Sequence, residues 1–425
     1  MPTTNLIPAV LKTLSRDGWL LFVTRFARLF AYGSLSVILV FYLIGLGLTE
    51  AQAGLVLTLT LAGDVVVSLY LTTRADRIGR RRMLIIGSIL MAAAGLAFVL
   101  TSNLLFLVIA GTIGVISPSG NEVGPFLPIE QAALSQVVSG RTRTTAFAWY
   151  TLAGSLATAA GALCGGVLSQ VLQRAALTPV GSYRVVVVLY AALGVLLAFL
   201  FTRLSAAAEV RLPATGTAGA APPSPGSMLL GVGRSKEVVL KLSGLFALDS
   251  FAGAFVVQSF AAYWFYLRFG VNPGALGVIF FWANVLGGVS ALLASRLAGR
   301  IGLVKTMVFT HLPSNILLIL VPLMPNLPLA ILMLLVRFSI SQMDVPTRQS
   351  YTMAMVSPEE RSAAAGITGV ARTTGAALAP IFAGWMFARP SLISLPFFIA
   401  GALKVIYDLL LYRGFVAIRP PEEAR

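Results

Sequence analysis

The chain has 425 residues, 57% hydrophobic and only 11% charged. A soluble domain carries about a quarter charged residues, so this composition excludes an ordinary soluble globular protein. The 31 Lys and Arg outnumber the 15 Asp and Glu, for a formal net charge of +16. In a soluble protein that balance would suggest nucleic acid, but the placement of the charges gives a different reading.

Leu29 to Leu48 is free of charge, and about 20 apolar residues suffice to cross a hydrocarbon core as a helix. Similar runs predict twelve membrane-spanning helices, at 19–44, 51–73, 83–101, 104–138, 144–172, 183–203, 238–267, 274–298, 304–323, 327–356, 362–388 and 391–412. With Met1 on the inner side, most Lys and Arg fall on inner loops: Lys12, Arg16, Arg74 to Arg82, Arg141, Arg143, the central loop and the tail. This asymmetry follows the positive-inside rule and puts both termini in the cytoplasm. It also accounts for the net charge without nucleic acid. The first segment is not a cleavable signal, since Arg25 and Arg28 interrupt its apolar start and no small-residue cleavage site follows.

Between the sixth and seventh segments, Pro213 to Gly226 reads "PATGTAGAAPPSPG", a composition that cannot bury a core. The expected organisation is a six-helix bundle over 1–203, a flexible cytoplasmic linker over 204–236 and a second bundle over 237–425. The halves also repeat. "PIEQAALSQVVSGRTR" at Pro128 returns 218 residues later as "PTRQSYTMAMVSPEER" at Pro346, with Glu130 replaced by Arg348. With a displacement of 223, Gly47, Gly54 and the "RIG" of Arg77 to Gly79 return as Gly270, Gly277 and Arg300 to Gly302. Six helices per repeat make both halves enter from the same side, as parallel repeats about an axis along the membrane normal. The fold class is therefore an all-α polytopic membrane protein of two parallel six-helix repeats.

The loop between the second and third segments reads "TTRADRIGRRR", Thr72 to Arg82. It resembles the G-x-x-x-D-(R/K)-x-G-(R/K)-(R/K) signature of the major facilitator superfamily through Asp76, Arg77, Gly79, Arg80 and Arg81, with Thr72 in the first glycine column. The resemblance implies a secondary transporter. It also implies a latch in which Asp76 approaches the positive N-terminal end of the eleventh helix near Ser362, with the arginines at anionic headgroups; the plain alternative is a topology anchor. "GALCGG", Gly161 to Gly166, resembles the family's antiporter phrase G-P-x-x-G-G with Ala162 in the proline column, while Pro380 keeps that column in the second half. Close helix packing alone would also explain these glycines.

Polar residues within spans carry the functional information, because a charge at mid-bilayer costs about 2.5–3.5 kcal/mol on insertion scales. Arg337, Ser341, Asp344 and Arg348 form one stripe on the tenth helix, as a cavity face or as a structural Asp344–Arg348 pair. Gly114 to Pro128, "GVISPSGNEVGPFLP", holds three prolines and three glycines and should break the fourth helix. Broken helices are tolerated only where they line a cavity or are buried in protein. Ser117, Ser119, Asn121 and Glu122 are the candidate contacts for substrate or protons, joined in the cavity by Arg25, Arg28, Asp249, Arg337 and Asp344. Two cross-half contacts are expected: Asp249 with Arg25 and Arg28, and an inner gate pair of Glu130 with Arg348. Lys404 and Asp408, four apart, are expected to be structural, and His311 an ordinary interfacial residue.

One cysteine, Cys164, and one histidine allow neither an intramolecular disulfide nor a Cys/His metal cluster, and no metal or cofactor is expected. There is no G-x-x-x-x-G-K-(S/T) loop for ATP and no G-x-S-x-G nucleophile motif, so no enzyme is expected. The expected function is secondary active transport of a small solute by alternating access: proton-coupled export, with sodium the other candidate ion and Asp64 among the titratable acids. Uptake or exchange of a small organic anion on Arg25, Arg28, Arg337, Arg348 and Arg372, and a non-transporting receptor or scaffold, are the competing readings. The expected unit is a monomer in the plasma membrane, partnered by lipid and a small molecule.

Overall fold

Each half begins as a set of capped helices. In the computed structural model, which describes residues 14–138, 143–209, 235–356 and 360–418, Ser15 caps α1 (Arg16–Gly45) by accepting from Gly18 N–H. Thr49 and Gln52 form a capping box on α2 (Glu50–Ile78). The remaining helices of the first half are α3 (Arg80–Leu100), α4 (Leu104–Ile113), α5 (Phe126–Val137), α6 (Arg143–Arg174) and α7 (Pro179–Thr202). The second half contains α8 (Lys236–Ala254), α9 (Gln258–Phe269), α10 (Pro273–Ile301), α11 (Leu303–Leu320), α12 (Leu327–Ser341), α13 (Asp344–Ala354), α14 (Arg361–Phe387) and α15 (Leu395–Phe415). Side-chain oxygens of Asn103, Thr178, Asn272 and Asn326 satisfy orphan N–H groups at the starts of α4, α7, α10 and α12, as helix starts require.

These helices make twelve passes, with α4 and α5, α8 and α9, and α12 and α13 each forming one broken pass. Among the described residues ten passes are long and apolar enough to cross a membrane. The other two are the interrupted α4–α5 and the Ala-, Gly- and Thr-rich α14. Both passes flanking Gly79, and both flanking Gly302, turn on the terminal side, the side that also carries the start of α1 and the end of α15. The turns at 46–49, 101–103, 175–178 and 270–272 lie on the opposite side.

The break in the fourth pass lies where the Pro/Gly run predicts it, and two further breaks were not anticipated. Pro346 lies in the first turn of α13 and has no N–H to return to the carbonyl of Gln342, so the tenth pass parts at Gln342 and Met343. The seventh pass parts at Phe255 to Val257 with no glycine or proline in the gap.

The duplicated glycines perform the same task in both halves. Gly79 and Gly302 have φ of +117° and +89°, a region where only glycine avoids Cβ strain, and each ends one helix and starts the next within a single residue. Gly54 and Gly277 mark close crossings between halves. A Cβ on Gly54 would lie 2.4 Å from the Pro380 carbonyl oxygen and 3.0 Å from the Gly384 Cα. A Cβ on Gly277 would lie 2.9 Å from the Ala162 carbonyl oxygen, and one on its neighbour Gly166 would lie 2.3 Å from the Pro273 carbonyl oxygen. α2 therefore packs on α14, and α6 on α10, backbone to backbone, as lipid-embedded helices do at small residues.

Gly54, Gly384, Gly166 and Gly277 all stand in the opposite-side parts of their helices. So do the hydrogen bonds joining the halves: Gln258 Nε2 to Ser36 Oγ at 2.7 Å, Tyr263 Oη to Glu50 Oε1 at 2.9 Å, Ile381 N–H to Thr58 Oγ1 at 2.9 Å, and Ser259 N–H to the Pro118 carbonyl at 3.2 Å. Phe41 adds edge-on contacts to Tyr263 and Tyr266 at 5.5 and 5.3 Å. The protein is closed on the opposite side.

Candidate functional site

In the first half, Arg25 and Arg28 lie on one face of α1 and meet two acids from the fourth pass. Arg28, fully buried, places Nη1 2.7 Å from Glu130 Oε1 and Nη2 2.8 Å from Oε2. Its Nη2 also reaches Glu122 Oε2 at 3.0 Å, while Arg25 Nη1 lies 2.6 Å from Glu122 Oε1. Tyr150 of α6 donates to Glu130 at 2.6 Å, and the Arg25 guanidinium stacks over the same ring at 4.4 Å. Two cations thus face two carboxylates with the paired geometry that offsets desolvation. Sequence reasoning found both arginines and both acids, but not Tyr150.

The broken segment holds Glu122 in place. Asp64 of α2 accepts from Gly124 N–H at 2.6 Å and from Ser68 at 3.1 Å. Ser117 donates to the Asn121 carbonyl at 2.7 Å and Thr158 to that of Gly120 at 3.1 Å. Tyr190 donates to the Val115 carbonyl. Ser117 is buried, so it ties the break together and does not face a cavity. Ser119 is half-buried and accepts from Asn121 N–H at 3.3 Å. Asn121 is exposed and Glu122 is 20% exposed.

In the second half, Asp249 of α8 accepts from Arg348 Nη1 at 3.0 Å and Lys404 Nζ at 2.5 Å. Asp344 lies 3.3 Å from the same Arg348 nitrogen. His311 of α11 meets Asp408 Oδ1 through Nδ1 at 2.8 Å, Asn315 donates to Asp408 Oδ2 at 2.8 Å, and His311 Nε2 lies 3.7 Å from Asp249 Oδ1. All these charged side chains are buried.

Several expectations change here. Asp249 pairs with Arg348 and Lys404, not across the halves with Arg25 and Arg28, which are ion-paired with Glu122 and Glu130 of their own half. Glu130 and Arg348 lie in separate clusters, each neutralised inside its own bundle, and in this conformation they are not paired. Lys404 and Asp408, expected to be structural, do not pair with each other but with Asp249 on α8 and His311 on α11. His311 is not interfacial: α11 carries it 5% exposed into the core of the second half. The polar residues His311, Ser314 and Asn315 sit three and four apart on one face, a signal that the sequence does contain.

Arg337 of α12 and Arg372 of α14 stand apart. Each is half-buried with its Nε buried and unpartnered, and neither forms an ion pair among the described residues. The Arg337 guanidinium carbon lies 5.1 Å from the Phe338 ring.

In the signature loop, the Asp76 side chain and the start of α14 around Ser362 lie outside the described residues, and Arg77 is exposed. Instead, Glu209 accepts from the backbone N–H of Arg80 at 2.7 Å and of Arg81 at 3.0 Å. The Arg80 and Arg81 guanidinia reach the carbonyls of Ala208 at 3.2 Å and Leu204 at 3.3 Å. A carboxylate at this helix start meets free N–H groups and the positive end of the dipole. The Thr72 hydroxyl returns to the Ser68 carbonyl at 2.6 Å. Of the antiporter-like glycines, Gly161 and Gly165 face backbone of α1 at Phe30 and Ser34, a packing use.

A metal is a poor fit. Asp249, His311 and Asp344 offer ligand atoms within 4.8 Å of one another, but Arg348 and Lys404 already hold the carboxylates and would repel a cation. No catalytic nucleophile with an adjacent base is assembled at either cluster.

Two six-helix halves, packed glycine to glycine on one side and holding buried charge clusters at mid-depth, define a polytopic membrane transporter. The chain belongs to the major facilitator superfamily: that family's profile matches residues 21–341 and 242–425. It is 32% identical over 433 residues to the "Uncharacterized membrane protein YJR124C" of Saccharomyces cerevisiae, covering 96% of each. Among solved structures it resembles the nucleoside transporter NupG, with a TM-score of 0.71 and 14% identity over 94% of this chain and 99% of that one. It also resembles the human organic anion transporter MFSD10 (TETRAN), with a TM-score of 0.64 and 17% identity over 95% and 100%. At these identities the structural likenesses speak for the fold.

Proposed function

We propose that the protein moves a small organic anion across the membrane by alternating access. The carrying observation is the contrast among its mid-membrane arginines. Arg25, Arg28 and Arg348 are each matched to acids of their own half, while among the described residues Arg337 and Arg372 form no ion pair. A guanidinium without an acidic partner at membrane depth faces the bundle interior or a water-filled cavity, where a carboxylate, phosphate or sulfonate would complete it in bidentate fashion.

With the termini placed in the cytoplasm by the positive-inside rule, closure at Gly54·Gly384 and Gly166·Gly277 is closure of the outer side. The conformation is then inward-facing, and the solute site opens to the cytoplasm. Proton-coupled export is the second reading, favoured by the buried acids; most of these are engaged by cations, so the anion reading has the stronger support. In proteoliposomes, counterflow of a panel of small mono- and dicarboxylates, organic phosphates and neutral nucleosides tests the proposal. Anions should be carried, and Arg337→Gln and Arg372→Gln should each lower that flux at least tenfold. Transport confined to neutral solutes, indifferent to both substitutions, refutes it.

A further inference from the structure

We propose that His311 is a proton-binding site of the second half, taking up one proton to become an imidazolium bridging Asp408 and Asp249. Donor accounting leads there. His311 Nδ1 lies 2.8 Å from Asp408 Oδ1, and an ionised carboxylate only accepts, so Nδ1 carries the hydrogen of that contact; Asn315 Nδ2, 2.8 Å from Asp408 Oδ2 and 3.1 Å from Nδ1, then donates to the carboxylate. A neutral ring then points the bare lone pair of Nε2 at Asp249 Oδ1, 3.7 Å away, acceptor against acceptor. Adding a proton at Nε2 turns that opposition into a second charge-assisted contact.

The surrounding charges agree. Facing His311 are Asp249 from α8, Asp344 and Arg348 from α13, Lys404 and Asp408 from α15, and more distantly Arg337 from α12 and Arg372 from α14. Tyr407 of α15 presents its ring at 5.7 Å, its hydroxyl buried and unpartnered. Arg296 and Arg300 of α10 line a different pocket with Met343. In the closed cluster three carboxylates meet two cations, Arg348 and Lys404, and a proton on His311 supplies the missing charge. In a buried site, where attraction between charges is strengthened, such an imbalance draws a proton.

The proton has a structural consequence. Asp249 Oδ1 is held by Lys404, and Oδ2 by Arg348. An Nε2–H donor competes for that carboxylate and loosens its hold on Arg348, which can then turn with Arg337 and Arg372 toward the solute. This last step rests on the anion reading above. The proton site itself does not.

His311 is the sole histidine of 425 residues, so the test needs no substrate. Full-length protein carrying a histidine-free affinity tag and 13Cε1-histidine, in nanodiscs, gives one imidazole resonance to follow from pH 5 to 9. The expected result is a single titration whose midpoint falls by about one pH unit or more in Asp408→Asn, a tenfold loss of proton affinity. If Asp408→Asn does not fold, Asp249→Asn should move the midpoint the same way, and Arg348→Gln should move it upward. A resonance that does not titrate in this range, or a midpoint unmoved by these substitutions in folded protein, overturns the proposal. Failure here leaves the counterflow result on Arg337 and Arg372 standing, and the reverse also holds.

Discussion

The closed side depends on two glycine crossings, so Gly54→Ala should open it. The added Cβ would sit 2.4 Å from the Pro380 carbonyl oxygen and 3.0 Å from the Gly384 Cα. Carbon and oxygen at ordinary contact stand about 3.4 Å apart, so α2 and α14 must separate by roughly 1 Å, and both obstacles are backbone. Overpacking of this kind costs about 1–3 kcal/mol, and it acts only on the conformation in which these helices touch. At about 1.4 kcal/mol per tenfold, the closed population should fall roughly five- to 150-fold relative to the open one. Gly166→Ala, with its Cβ 2.3 Å from the Pro273 carbonyl oxygen, should do the same at the pseudo-symmetric crossing. The assay is modification of Ser36→Cys by a membrane-impermeant maleimide in nanodiscs, with Cys164→Ser as background, since Ser36 is buried at the closed interface against Gln258. Labelling should accelerate at least fivefold in both glycine variants, and not in Gly414→Ala, where nothing lies within 4 Å. Equal rates in all three, with each eluting as a folded monodisperse species, would show that these crossings do not hold the side closed.

Two further outcomes follow from the charge clusters and the loop. Glu130→Gln removes the bidentate acid of fully buried Arg28 and leaves it Glu122 at 3.0 Å; losing one partner of a buried pair costs about 3–5 kcal/mol when the charge is left alone and less where a second acid remains, so the melting temperature in detergent should drop by a few degrees, and Arg28→Met with Glu130→Met should recover much of it. Glu209→Ala removes the acceptor at the start of α3, a loss of about 0.5–2 kcal/mol typical of a helix cap, and should lower the melting temperature slightly while leaving labelling of Ser36→Cys unchanged.

What the sequence made legible is what local chemistry decides. Gly79 and Gly302 could be read because a one-residue turn between helices needs positive φ whatever surrounds it. The break after Gly114 could be read because three prolines and three glycines cannot continue a helix. The partner of Asp249 could not be read, because it depends on the rotation of α8 about its own axis, and that rotation is fixed by packing against α14 and α15. Lys404 and Asp408 illustrate the same limit: at four apart they could have paired along α15, yet α8 and α11 offered each a better partner. The break at Phe255 to Val257 has no compositional signal. Pro118, whose carbonyl takes both the N–H and the hydroxyl of Ser259, satisfies the start of α9 from the other half of the molecule.

The reversal of Glu130 and Arg348 between the repeats gains a physical sense from these pairings. In the first half an arginine of the first pass, Arg28, neutralises an acid of the fourth, Glu130. In the second half an acid of the seventh pass, Asp249, neutralises an arginine of the tenth, Arg348. The same pair of equivalent passes is locked in each bundle, with the polarity exchanged. A lock inside each half lets the halves rock as bodies without stranding a buried charge at every cycle, which a pair confined to one conformation would do. For Glu130 and Arg348 to meet when the other side closes, each would have to leave its present partner, with Arg28 keeping Glu122 at 3.0 Å and Asp249 keeping Lys404 at 2.5 Å. The polarity exchange also leaves the halves unequal. In the first, Arg25 and Arg28 face Glu122 and Glu130 while Asp64 is held by N–H and O–H donors; in the second, Arg337 and Arg372 form no ion pair among the described residues, so on the anion reading a negatively charged solute would be held there.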